Sequence, residues 1–183
     1  YQALYPELRT EVTIGKSAVI EQHILENKID IGLIENQSEH PDINVLPFME
    51  DYMQAVVAPD HPLAGCSQVT LEQLAQYPFL MREKGSAGRE ILDACFALEQ
   101  ITVHPLWESA STQAIVRGVA EGLGVAVLPC LLVRKNIEEH TVKMIPFPQP
   151  LTRKLNLIWH RSKYLTDNMN AFIELCKKSG SEW

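Results

Sequence analysis

Two kinds of hydrophobic pattern alternate along this chain. Short apolar runs, such as residues 29–34 and 125–128, are typical of buried strands. Elsewhere apolar residues recur every three or four positions, which indicates amphipathic helices; the clearest example carries Ile91, Leu92, Cys95 and Phe96 on one face. Because strands and helices take turns, the pattern predicts an α/β fold.

The individual elements follow from the same pattern. Strands are predicted at 8–14, 29–34, 79–82, 102–107, 125–128 and 142–147, with a strand pair that ends at 53–58. A further strand is predicted where Leu155, Leu157 and Trp159 alternate with their neighbours, as in a strand with one buried face. Helices are predicted at 17–27, 70–76 and 131–138, after Ser86, up to Glu121, and after Thr166.

Side chains that can cap helices mark where several of these helices begin. The candidates are Ser17, Ser86, Thr166 and the capping-box pair Thr70 and Gln73. The helix that reaches residue 121 has three alternative caps, Ser109, Ser111 and Thr112. Two glycines, Gly122 and Gly124, are expected to end that helix.

The stretch 80–92 carries the densest chemistry, because a strand end runs through a glycine turn into a helix. It places the Ser86 hydroxyl and the cations Arg82, Lys84 and Arg89 around one helix N-terminus. Such an end carries about half a positive charge and unpaired N–H donors, so it suits a small anion. Each of these side chains also has a purely structural interpretation, the hydroxyls as helix caps and the cations as solvated surface charges.

Composition excludes some functions for this stretch of chain. The 183 residues are 46% hydrophobic and carry a net charge of −7, which is ordinary for a globular domain and unsuited to gripping a nucleic-acid backbone. Four cysteines, none in a C-x-x-C pair, predict free thiols and a cytoplasmic location. No apolar run is long enough to span a bilayer, so no membrane association is expected.

Motifs for catalysis and for metal binding are missing from the sequence. There is no G-x-S-x-G elbow, no Walker loop and no H-E-x-x-H, and the six histidines show no i, i+4 pairing. The sequence therefore predicts a module that binds a small ligand without transforming it, with no catalytic residue, no metal and no cofactor.

Four segments in order resemble the effector-binding domain of LysR-type transcriptional regulators. The first runs from Tyr5-Pro-Glu-Leu8 to Gly15-Lys-Ser17, and the second is Lys28-Ile-Asp-Ile-Gly-Leu-Ile34. The third is Ala58-Pro-Asp-His-Pro-Leu-Ala64, and the fourth runs from Arg117-Gly-Val through Gly-Leu-Gly-Val to Pro129. The loop Arg82-Glu-Lys-Gly-Ser-Ala-Gly-Arg89 is similar to a version found in some branches of the family, but lacks its threonine.

The resemblance implies two Rossmann-like lobes of the type 2 periplasmic-binding-protein kind, joined by two crossing strands. Lobe I is expected at 1–58 plus 160–183, and lobe II at 59–159. The family's first strand and the start of its first helix are missing from these residues, so they are expected either to precede Tyr1 or to be supplied from elsewhere. The effector is expected between the lobes, against Ser86, Arg89, Ser109, Ser111, Thr112, Glu35, Asn36 and Arg82.

The resemblance also implies a function. The chain is expected to sense a small effector, an oxyanion or a carboxylate, while DNA is bound only by an N-terminal helix-turn-helix domain outside these residues. A homodimer or homotetramer is expected, packed through the helices that begin at Ser17 and after Thr112. Two alternatives stay open at this point: a free-standing solute-binding protein of the same fold, and an enzyme built on the same pair of lobes.

Overall fold

The computed structural model describes residues 1–35 and 37–181. The chain divides into two compact units, one formed by Tyr1–Glu50 with Arg153–Trp183 and the other by Asp51–Thr152. Both division points fall inside strands, one in Ile43–Val57 and the other in Leu151–His160, so the chain passes from one unit to the other within these two strands. The lobe boundaries drawn from the resemblance, at residues 58 and 160, stay a prediction.

The described residues form six α-helices, one short 3₁₀ turn at Pro62–Gly65 and seven strands. The helices are α1 Ser17–Leu25, α2 Leu71–Leu74, α3 Ala87–Leu98, α4 Thr112–Ala120, α5 Cys130–Glu138 and α6 Asp167–Ser181. The strands are β1 Gly32–Glu35, β2 Ile43–Val57, β3 Leu80–Arg82, β4 Trp107–Ser109, β5 Ala126–Pro129, β6 Lys143–Ile145 and β7 Leu151–His160.

The first unit packs α1 against the antiparallel pair β1 and β7. Gly32 lies opposite Ile158 in this pair, and a Cβ at Gly32 would come within 2.6 Å of the Ile20 side chain. The missing side chain therefore lets α1 lie directly on the sheet. The core that results contains Ile20, Ile24, Ile34, Ile43 and Ile158.

The second unit is organised around short parallel strands followed by helices. β3 and β4 are parallel, with Arg82 opposite Ser109, and Phe79 forms a parallel bridge to Val125 just before β5. β2 runs antiparallel to both β5 and β6. Leu92 and Phe96 of α3 enter the core, where the Phe96 ring meets Phe79 edge-on, so the predicted apolar face of α3 is confirmed. The predicted α/β class is confirmed as well.

Four predictions about strands are wrong. The predicted strand at 102–107 has only Trp107 in β4, because the pairing with β3 begins at that residue. Residues 8–14 form no strand, and Val12 and Ile14 are exposed, because no described strand pairs with this segment. In place of a strand pair, residues 43–57 form the single strand β2, which is paired along part of its length on both sides. In β7 the alternation fails because Asn156 and Ile158 are as buried as Leu157.

Two capping predictions are also corrected. Lys16 stands at the N-cap of α1 in place of Ser17, whose hydroxyl donates to the Glu35 carbonyl oxygen at 3.4 Å. Gly122, with φ of 74°, ends α4 as expected, but Gly124 has another role. A Cβ at Gly124 would clash with the Pro78 carbonyl oxygen, because the main chains approach closely where β5 meets the residues before β3.

Candidate functional site

The N-terminus of α3 forms as the sequence predicts. Ser86 is the N-cap, and its hydroxyl oxygen accepts a hydrogen bond from the Arg89 N–H at 3.4 Å. A turn precedes it, in which the Ser86 N–H donates to the Glu83 carbonyl at 3.2 Å and Gly85 has a φ of 80°. Because glycine reaches a positive φ without strain, the chain can turn from β3 into α3 within four residues.

The N-terminus of α4 uses all three of its candidate caps in different ways. Ser111 is the N-cap and accepts from the Ala114 N–H at 3.2 Å. Ser109 accepts from the Ser111 N–H at 3.1 Å, and Thr112, the first residue of the helix, accepts from Arg82 Nη1 at 3.0 Å. The hydroxyls therefore order one helix start, and one of them ties it to β3.

The two helix starts lie at the same edge of a sheet. β3 and β4 are parallel neighbours, α3 follows β3, and α4 follows β4. Ligands in open α/β sheets bind at this carboxyl edge, where the helix N-termini collect. The structure thus brings together six of the predicted site residues, namely Arg82, Ser86, Arg89, Ser109, Ser111 and Thr112.

Arg89 is buried, and its donors are directed to other parts of the same unit. Its side chain is 7% exposed, with Nε 2.8 Å from Asp93 Oδ1 and Nη1 3.3 Å from Glu108 Oε1. Burial by itself would lower the pKa of Arg89, but the Asp93 and Glu108 carboxylates outweigh it and raise the pKa above its ordinary value. Arg89 is therefore a fixed cation whose charge is balanced within the fold.

Arg82 has a more open setting. Its side chain is 25% exposed, and its guanidinium donates to both carboxylate oxygens of Glu83, from Nε at 2.9 Å and from Nη2 at 3.2 Å. With the bond to Thr112, this places a partly accessible guanidinium beside the first turn of α4. Of the two arginines, Arg82 has the more exposed side chain.

The remaining two predicted site residues belong to the first unit. Glu35 ends β1, and its carboxylate pairs with Arg153 Nη1 at 2.6 Å. Asn36 lies outside the described residues. Whether any of the eight predicted residues contacts an effector stays a prediction.

Two buried charged residues escaped the sequence analysis. Arg153 lies in β7 with a side chain that is 3% exposed, and Asp51 lies in β2, where its Oδ1 accepts from the Tyr52 N–H at 2.8 Å and the Leu131 N–H at 3.3 Å. Asp51 therefore supplies the cap that Pro129 cannot give to α5. The signal for both was a charged residue inside a segment that is otherwise strand-like.

A shallow groove of about 500 Å³ runs beside α4 in the second unit. Its apolar walls include Trp107, Ala114 and Leu123, and the Trp107 ring packs directly against Gly118, where a Cβ would lie 2.6 Å from the ring. Arg117 and Glu121 line its edge. Ser111 and Gln113 line the groove as well, so it reaches the start of α4.

Metal-ligating side chains are scattered through the described part of the chain, and its cysteines are free. No group of three metal-ligating side chains occurs there, and none of the described helices is long and apolar enough to cross a membrane. Burial raises the pKa of the Cys95 and Cys176 thiols, which disfavours their reactive thiolate forms.

Comparison with known proteins gives a consistent result. The family model described as the LysR substrate binding domain matches residues 1–181. The HTH-type transcriptional regulator YeiE of Escherichia coli K12 is 34% identical over 177 residues, which cover 96% of this chain and 60% of that protein. CysL of Bacillus subtilis, also an HTH-type transcriptional regulator, is 31% identical over 179 residues, covering 97% of this chain and 60% of the relative.

A solved structure supports the fold. The regulatory domain of CcmR from Synechocystis PCC6803, in complex with 2-PG, superposes with a TM-score of 0.87 at 23% identity, covering 98% of this chain and 86% of that domain. The chain spans 60% of the length of the two curated relatives. Those relatives are transcriptional regulators, which favours a sensor domain over a free-standing solute-binding protein.

Proposed function

Because this chain belongs to the LysR substrate-binding domain family, we propose that it senses a small oxyanion or carboxylate for a transcriptional regulator. The observation that carries the proposal is the gathering of two helix N-termini and the Arg82 guanidinium at one sheet edge. Partial positive charge at the helix ends, hydroxyl donors and one accessible cation together favour an anionic ligand. We propose that the ligand is bound at this edge without a reaction.

The proposed contacts are divided by role. Ser109, Ser111 and Thr112, together with main-chain N–H groups of α4 and the edge of Arg82, would touch the effector. Ser86 and Arg89 order the start of α3, and Arg89 acts through the partners that it holds. From the first unit, Glu35 and Asn36 stay proposed contacts.

DNA would be bound by a separate N-terminal helix-turn-helix domain of the whole protein. The two relatives are HTH-type transcriptional regulators, and this chain matches 60% of their length. The effector would act by population shift, in which it binds one arrangement of the regulator more tightly than another and so changes the fraction of each. Coupling of this kind typically amounts to about 1–3 kcal/mol.

Self-association is the second part of the proposal. Val19 on α1 is 45% exposed, and α4 presents the groove at Gly118 with Trp107 and Leu123 exposed beside it. Exposed apolar helix faces favour packing against a second copy. A homodimer or homotetramer through α1 and α4 is therefore proposed.

A thermal-shift screen tests the anion proposal. The chain would be melted with sulfate, phosphate, acetate and amino acids at constant ionic strength. A true effector at about 100 times its Kd should raise the Tm by roughly 5–10 °C for a chain of this size. Arg82→Gln should weaken that shift, whereas Lys135→Gln, which removes an exposed cation of α5, should keep it. Cooperative melting with no shift from any anion would contradict the proposal.

A further inference from the structure

The Arg82 guanidinium already holds a carboxylate, that of the next residue in the chain. Arg82 donates from Nε to Glu83 Oε2 at 2.9 Å and from Nη2 to Glu83 Oε1 at 3.2 Å. Two parallel bonds along one guanidinium edge are the geometry in which arginine recognises carboxylates and oxyanions. Glu83 therefore occupies the edge that an anionic effector would use.

We propose that Glu83 determines effector specificity as an internal stand-in for the ligand. The effector's own carboxylate or oxyanion group replaces the Glu83 carboxylate on Arg82, and Glu83 then turns to solvent. This inference rests on the proposed function and adds two details to it. Binding displaces the Glu83 carboxylate from Arg82, and the ligand carries a carboxylate or oxyanion group. The ligand must offer two oxygen atoms spaced like those of a carboxylate.

The exposure of the two ion pairs shows why Glu83 can be exchanged. Arg82 and Glu83 are 25% and 26% exposed, so water reaches both partners. Arg89, by contrast, is 7% exposed and is held by partners on three elements: Asp93 of α3, Glu108 of β4 and the Arg82 carbonyl of β3. A partly exposed pair between neighbours in sequence is weak compared with such a buried cluster. The anion can therefore displace Glu83, whereas Asp93 and Glu108 stay on Arg89.

The guanidinium stays oriented when Glu83 leaves. Arg82 Nη1 donates to Thr112 Oγ1 at 3.0 Å, which holds the arginine against the first turn of α4 independently of Glu83. The Glu83 carbonyl accepts from the Ser86 N–H at 3.2 Å, so the turn is fixed by its main chain. This main-chain bond of the turn that leads into α3 does not involve the Glu83 carboxylate.

This exchange selects among anions. A carboxylate or tetrahedral oxyanion restores both bonds that Arg82 loses, and it gains the N-terminal end of α4. Chloride offers one point acceptor and restores no paired geometry. The Glu83 carboxylate thus excludes simple halides and admits ligands that match its own shape.

The test is a calorimetric titration of the chain with inorganic sulfate at constant ionic strength. Wild type is compared with Glu83→Gln and with Glu90→Gln, which removes the same charge from an exposed position in the first turn of α3. Glu83→Gln should bind sulfate about fivefold more tightly than Glu90→Gln, the value of a partly exposed ion pair. The gain should vanish in Arg82→Gln/Glu83→Gln, since the edge to be released is then absent.

The outcomes separate this inference from the proposed function. If wild type binds sulfate but Glu83→Gln and Glu90→Gln bind it equally well, or if the gain persists without Arg82, Glu83 is no stand-in and only this inference fails. If none of the variants binds sulfate, phosphate or acetate although all melt cooperatively, the anion proposal fails and this inference fails with it. A gain for chloride as large as that for sulfate would overturn the shape argument.

Discussion

Arg89 donates from Nη1 to the main-chain carbonyl oxygen of Arg82 at 2.9 Å, so a side chain of α3 closes the turn that starts the helix. The same guanidinium pairs with Asp93 and Glu108, which links α3 to β4. The relationship fixes the end of β3 relative to both of its neighbours. It explains why Arg82, at the end of β3, has a defined position next to the loop 83–86.

Loss of Arg89 should destabilise the second unit. Arg89→Met leaves the Arg82 carbonyl without this donor and two partly exposed carboxylates close together, so we expect about 2 kcal/mol less unfolding free energy. Arg134→Met is the matched control, because Arg134 is exposed and pairs with Glu138 within one helix, a contact worth about 0.5 kcal/mol or less. Urea unfolding of both variants checks this, and equal losses would mean that Arg89 contributes no more than a surface pair.

Gly124 should tolerate no side chain. In Gly124→Ala the new Cβ meets the Pro78 carbonyl oxygen, which belongs to main chain and cannot move aside. We expect a loss of about 2 kcal/mol or more in unfolding free energy. Gly65→Ala is the control, since a Cβ there meets nothing within 4 Å. A Tm for Gly124→Ala that equals that of Gly65→Ala would show that the two main chains separate easily.

Asp51 should stabilise α5 through its carboxylate. Asp51→Ala removes the acceptor for the Tyr52 and Leu131 N–H groups, and we expect about 1–2 kcal/mol less stability in chemical denaturation. Asp51→Asn retains an acceptor oxygen and should keep most of it. Asp60→Ala, at an exposed position, controls for the loss of a charge. An Asp51→Asn variant as unstable as Asp51→Ala would show that the negative charge of Asp51, and not its hydrogen bonds, stabilises α5.

His61 should make stability depend on pH. Burial lowers the pKa of His61, whose Nδ1 accepts from the Leu63 N–H at 3.2 Å and whose ring lies against Tyr77. Since the folded state prefers the neutral ring, this stability is fully present above about pH 6.5, the unfolded pKa. It is lost as the pH falls through the lower folded value.

Unfolding free energies at pH 7.5 and pH 5 check this expectation. The part of the difference that His61 contributes should be missing in His61→Gln. His104→Gln, at an exposed position, controls for the removal of one histidine. If His61→Gln loses more unfolding free energy between pH 7.5 and pH 5 than wild type does, the expected sign of the His61 contribution is wrong.

Local patterns predicted a good part of the candidate site. Ser86 is an N-cap as expected, Ser111 is the N-cap among the three candidates that the sequence left open, and the Thr70–Gln73 capping box is present with both of its bonds. Caps are decided within four residues of chain, so a sequence contains what is needed to assign them. Ser17 shows the limit, because a carbonyl of β1 takes its hydroxyl away from the helix.

The partners of Arg82 and Arg89 could not be predicted from local sequence patterns. The predicted contact of Arg89 with the anion stays a prediction; its guanidinium is directed to Asp93 and Glu108, and Arg82 has the more exposed side chain. Glu108 reaches Arg89 only because β3 and β4 lie side by side. A pairing of this kind depends on strand order, which no short stretch of sequence specifies.

The sequence by itself determined the alternation of strands and helices, the apolar face of α3, the helix start at Ser86 and the family resemblance. These follow from periodicity and capping, which act over a few residues. Only the tertiary structure decided that Arg89 is held by carboxylates, that Asp51 caps α5 and that Gly124 lies against Pro78. Those contacts join segments far apart in the chain, so their energies depend on how the elements pack.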